Sequence, residues 1–167
     1  MDMLWKHIVT HGLFFGLAVN GYLLLTMLTT SPRVWGYADY SDEIKAKIPP
    51  QTAKERRTAW LVGIPWFIFI IAFPFYSTYA LKTGLGGEIP YWAAFLNVVV
   101  LVLLATLGDL VILDWLIISV ITPRFVIIPG TEPEDYKDFS HHFKGHARAV
   151  IPLLLVSVVI SAIVWFA

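Results

Sequence analysis

The chain contains no cysteine. Disulfides, thiolate nucleophiles and cysteine-ligated zinc or iron–sulfur centres are therefore excluded. Charge is scarce as well: only 14% of the 167 residues are Asp, Glu, Lys or Arg, where a soluble domain carries roughly a quarter. Recognisable catalytic motifs are also missing. There is no glycine-rich phosphate loop, no nucleophile elbow, no HExxH and no internal repeat of the transporter kind. Net charge is zero, and no nucleic-acid partner is expected.

Apolar residues fill the chain instead. Hydrophobic residues make up 57% and the mean hydropathy is +0.71, the composition of an integral membrane protein. Four stretches approach or exceed the ~20 residues a spanning helix needs: about 8–29, 59–81, 93–121 and 150–167. The first runs on through Tyr22-Leu-Leu-Leu-Thr-Met-Leu-Thr-Thr with no small-residue cleavage site, so a retained helix is expected rather than a signal peptide. Ile8, Gly12, Gly16 and Asn20 recur at i+4 along it, and two glycines on one stripe let a neighbouring backbone approach closely. The second span carries Pro65 and Pro74, which free carbonyls that neighbours must satisfy. Thr52-Ala-Lys-Glu55 is a capping box at its start.

Lys and Arg distribution sets the orientation. Segments 30–57 and 122–148 hold ten of the twelve, while Lys6 and Lys82 stand alone on the other side. Both segments are expected in the cytoplasm, with the N- and C-termini on the non-cytoplasmic side. Within the second segment, Thr131-Glu-Pro-Glu134 resembles a helix start, and residues 132–147 are amphipathic, with Tyr136, Phe139 and Phe143 on one face. The expected fold is a single all-α membrane domain over 1–167: four transmembrane helices in an antiparallel bundle, with a cytoplasmic amphipathic interfacial helix between the third and fourth.

Two carboxylates, Asp109 and Asp114, interrupt the third span within Leu-Gly-Asp-Leu-Val-Ile-Leu-Asp-Trp-Leu. Ionisable groups at bilayer depth are costly and mark function or assembly. Five residues separate them, ~140° around an α-helix, so they cannot share one partner unless the helix unwinds near Gly108. One is expected to face Asn20, which lies at matching depth on the first span, and the other the second or fourth helix. These three residues form the candidate buried polar site, as hydrogen-bond anchor, acid/base or cation site.

Three further groups deserve weighing. Asp138, His142 and His146 follow at i+4 steps, with His141 and Glu134 beside them, a carboxylate–histidine stripe suited to Zn²⁺ or Fe²⁺. His7 and His11 form a second i,i+4 pair at the opposite end, where Asn97 is the only other polar candidate. The separation of these histidines from the remaining three argues against bis-histidine haem. Arg33, Arg56, Arg57, Arg124 and Arg148 could bind anionic lipid headgroups, although topology alone explains them.

Three functions follow from these residues. The first is an accessory or assembly subunit, or a homo-oligomeric membrane module, in which buried polar groups join helices. The second is an intramembrane enzyme acting on a lipid or isoprenoid-like substrate at the cytoplasmic interface, with or without a metal. The third is proton or cation conduction. Expected partners are the lipid bilayer and a second membrane subunit or copy. Because the chain lacks cysteine, a single introduced thiol reports sidedness cleanly. In intact cells Gly86→Cys is expected to react with a membrane-impermeant maleimide and Ser41→Cys only after permeabilisation; the reverse pattern would refute the orientation.

Overall fold

A computed structural model describes residues 3–167. It contains helices α1 (Met3–Thr29), α2 (Pro32–Trp35), α3 (Asp42–Lys47), α4 (Ala53–Gly84), α5 (Tyr91–Gly108) and α6 (Phe139–Phe166). From Asp109 to Ile121, α5 continues without a break as a π-helix. Four helical stretches are long and apolar enough to cross a membrane, the architecture of a multi-pass membrane protein.

The glycine stripe of α1 packs as its spacing predicts. Gly16 lies so close to α5 that a Cβ there would stand 3.5 Å from the Leu104 carbonyl oxygen, and Ile8 on the same stripe is fully buried. Phe15 and Val19 pack with Leu101 and Ala105 at mid-height. Leu4 and Ile8 meet Leu81, Ile89, Ala93 and Ala94 at one end. There the connection after α4 turns through Gly86 and Gly87, both at φ +95°, a conformation that glycine adopts without strain.

Helix α4 starts on the expected capping box. Glu55 N–H donates to Thr52 Oγ1 (3.2 Å) and Thr52 N–H to Glu55 Oε2 (2.6 Å). Both prolines lie inside a continuous helix. Near them, Tyr22 O–H donates to the Val62 carbonyl (2.7 Å) and Thr78 O–H to the Pro74 carbonyl (2.7 Å), giving helix carbonyls side-chain donors that lipid cannot supply.

At the opposite end, segments 30–52 and 122–138 fold onto each other as a plug. Tyr40 meets Tyr136 edge-on, ring centres 5.7 Å apart, in an apolar cluster with Met27, Ile44, Leu113 and Val126. Tyr136 O–H accepts the Ile128 N–H (3.0 Å), and Lys47 pairs with Asp135.

This plug corrects the expected interfacial helix over 132–147. Pro133–Tyr136 is one 3₁₀ turn, and its capping box is Glu132 with Asp135. Thr131 is occupied elsewhere, donating to the Ile128 carbonyl (2.8 Å). The helix starts only where Asp138 accepts the N–H groups of Ser140 and His141 (2.9 and 3.2 Å). It then runs unbroken through the predicted fourth span. Tyr136 is buried while Phe139 and Phe143 are exposed, so the three share no face.

Ala94 is wholly buried, so Ala94→Leu should overpack its cluster and cost about 1–3 kcal/mol. Gly63, where a Cβ would meet nothing within 4 Å, should accept alanine with a gain of up to about 1 kcal/mol. Thermal unfolding in a fixed detergent checks both, and equal effects would contradict this packing.

Candidate functional site

An α-helical winding would turn Asp109 and Asp114 away from each other, and the expectation that they face different partners is overturned. From Asp109 onward the winding is π, with i→i+5 hydrogen bonds; the Thr122 N–H that closes the segment bonds to the Ile117 carbonyl (2.9 Å). This winding carries side chains five positions apart to the same side of the helix. Both aspartates consequently reach His146 of α6: its Nε2 lies 2.9 Å from Asp114 Oδ2 and 3.9 Å from Asp109 Oδ2. His142 Nδ1 lies 3.3 Å from the same Asp114 oxygen.

The four side chains are half-buried, with 14–30% of each still exposed. Two devices hold the helices around them. Lys137 caps the end of the π segment, its Nζ donating to the Val120 carbonyl (3.1 Å) and to Thr122 Oγ1 (2.7 Å), a favourable place for a cation. Trp115 Nε1–H reaches from the π segment to the Phe139 carbonyl at the start of α6 (3.3 Å).

Asn20 does not join the carboxylates. Its amide donates to the Gly16 carbonyl (2.8 Å) and across to the Ala105 carbonyl of α5 (3.0 Å). A residue that sequence reasoning missed does join. Asp39, in the loop between α2 and α3, stands beside this cluster: its backbone carbonyl accepts from the neighbouring His141 Nε2 (2.6 Å), and its carboxyl is near enough to Asp114 and His142 to feel their charge. The surrounding protein, despite the loop's access to solvent, and then the Asp114 carboxylate push the Asp39 carboxyl up from its ordinary value. Asp39, Tyr40, His141 and His142 line a recess of about 20 Å³, room for about one water molecule.

The stripe expected to hold a metal is dispersed. Asp138 is used as a helix cap, Glu134 sits exposed on the 3₁₀ turn, and His141 turns to Asp39, leaving His142 and His146 with Asp114. Among the described residues no group of three or more acidic or histidine side chains is arranged to hold a metal ion.

At the other end, His7 and His11 stack face to face, ring centres 3.8 Å apart, so their nitrogens do not converge on one point. His7 Nε2 meets the Ser77 carbonyl (2.9 Å) and hydroxyl (3.2 Å), and Asn97 donates to the hydroxyls of Ser77 (3.2 Å) and Thr78 (3.0 Å). Asn97 therefore belongs to this second polar cluster. Between it and Asp109 lie Leu101 and Ala105, one turn apart and buried with Phe15 and Val19, an apolar layer.

The five arginines do not form one headgroup site either. Arg33 is tied to the protein by Glu55 (2.7 and 3.1 Å) and by the carbonyls of Pro49 and Pro50 (both 3.0 Å). Arg56 donates to the Gln51 carbonyl (3.2 Å), and Arg57, Arg124 and Arg148 are exposed.

The Arg33 clamp generates a pH prediction. The Arg33 guanidinium, seconded by Thr52, pulls the Glu55 carboxyl from 4.5 to about 2. A depressed carboxylate stabilises the fold above its ordinary value, and that contribution is lost as pH falls from 4.5 towards about 2. The pair is partly solvated, so its worth is about 0–1 kcal/mol. In Arg33→Gln the Glu55 carboxyl, followed by ¹³C NMR, should titrate nearer its ordinary range; an unmoved midpoint would contradict the clamp. Compared with protein-family models, curated proteins and solved structures, the chain matches none of them.

Proposed function

We propose that the protein is a small intramembrane enzyme whose acid/base site is the His142–His146–Asp114–Asp109 cluster, acting on a lipid-like substrate at the cytoplasmic interface. The observation that carries this reading is the convergence of both aspartates on His146. A structural anchor between α6 and the third span needs one hydrogen bond. Here two imidazoles each have one nitrogen against Asp114, which orients the ring and leaves the other nitrogen to exchange a proton. Asp109 adds a second carboxylate beside the same ring, and the group keeps partial access to its surroundings.

The expected topology supports the substrate class. With antiparallel spans and the two basic segments in the cytoplasm, the plug and the site share the cytoplasmic end. The recess beside His142 is water-sized, so a substrate has to present its reacting group from the lipid–water boundary rather than enter a deep pocket.

The assembly reading retains one specific observation. Only 6% of the apolar window of α4 is buried, against 22% to 33% for the other spans, and an oligomer or a partner subunit would cover this helix. Conduction is the weakest reading: the apolar layer of Phe15, Val19, Leu101 and Ala105 stands between Asn97 on one side and Asn20 with the aspartates on the other.

The test uses protein purified with its native lipids and incubated with an extract of its own membrane, the lipids being followed by mass spectrometry. A lipid species should be converted, and Asp114→Asn should slow that conversion by about 10²–10⁴-fold, the usual worth of general acid/base catalysis. No conversion by the wild type, or an unchanged rate in a folded Asp114→Asn variant, would sink the proposal.

A further inference from the structure

The change of winding at Asp109 follows immediately on a contact between α1 and α5. Asn20 spends both amide protons on carbonyls, one on its own helix at Gly16 and one on Ala105. In an α-helix the Ala105 carbonyl belongs to the Asp109 N–H. Here that N–H is shared between the carbonyls of Ala105 and Thr106, and Ala105 accepts Asn20 as an additional donor. A side-chain donor on a ladder carbonyl competes with that carbonyl's own N–H, and interference with the i→i−4 ladder is an established cause of local departure from α geometry.

Gly108 makes this close approach possible. A Cβ at this position would stand 2.7 Å from Asn20 Nδ2 and 3.3 Å from its Cγ, too close for any residue but glycine without moving the amide. Asn20 Oδ1, by contrast, is buried with no hydrogen-bond partner. The amide is therefore held there by its two donors. The contact ends one residue before the π segment begins.

We propose that Asn20 is a positioning residue: its amide, seated on Gly108 and bonded to the Ala105 carbonyl, sets the π winding that brings Asp109 and Asp114 together onto His146. The inference depends on the proposed site only for its functional meaning, since it concerns the geometry. Asn20 touches none of the reacting groups. It acts through the backbone of α5.

The experiment is a double-mutant cycle read by NMR of the His146 ring in lipid nanodiscs. Four groups face this ring or its neighbourhood: Asp109 and Asp114 from the π segment, His142 from α6 and Asp39 from the α2–α3 loop. In the wild type, Asp109→Asn should move the His146 titration midpoint. In Asn20→Leu, which keeps the bulk and removes the donors, the same substitution should leave the midpoint where it was, because Asp109 has already turned away. Gly108→Ala, which expels the amide, should behave like Asn20→Leu and serves if that variant does not fold. Gly21→Ala, next to Asn20 but with nothing within 4 Å of its Cβ, should retain the full wild-type response.

The proposal is overturned if Asp109→Asn moves the midpoint equally in all backgrounds, or if it moves none of them. Because the readout is spectroscopic, failure of the catalytic reading leaves it intact. A purely structural role for Asn20 would lower stability without erasing the Asp109 response.

Discussion

Thirteen residues of π winding hold the carboxylate–histidine cluster of this molecule together. An α-helix from Asp109 to Ile121 would point its two aspartates ~140° apart, one at α6 and one elsewhere in the bilayer. The i→i+5 ladder instead presents both to the same imidazole. π-bulges usually extend for a single turn and occur at functional sites; this one is longer and begins beside the only carboxylates in the third span. The site and the irregularity coincide.

Other features keep that segment in place. Lys137 and Thr122 close its end, Trp115 ties it to α6, and the Tyr40–Tyr136 plug seals the same end of the bundle. The mid-height layer of Phe15, Val19, Leu101 and Ala105 separates this end from the His7–His11–Asn97 cluster. Two polar regions thus occupy the molecule without communicating through it. That division favours a local acid/base function over transport along the bundle axis.

The spans were legible in the sequence because each is a long apolar run with clear polar ends, and the Thr52–Glu55 cap because its pattern is local. That the glycine stripe on α1 faces another helix also followed from small-residue packing, whereas the identity of that helix, α5, came only from the structure. Legibility failed where geometry was assumed. A rotation of 100° per residue separates Asp109 from Asp114, and only Gly108, as a place where the helix could unwind, hinted at a different winding. The start of the last helix was misplaced because Thr131 and Tyr136 serve the plug, a contact between distant segments that no local pattern announces. Asp39 was missed for the same reason. It is a single acidic residue in a loop, and it reaches the site only through the folding of that plug.

The central claim is that both carboxylates face one nitrogen of the same imidazole. ¹³C–¹⁵N dipolar recoupling by solid-state NMR, with the protein in a lipid bilayer, measures this directly. The account predicts that the carboxyl carbons of Asp109 and Asp114 both couple to His146 Nε2, with Asp114 the nearer. Coupling from only one aspartate, as an α-helical 109–121 segment would give, would contradict it.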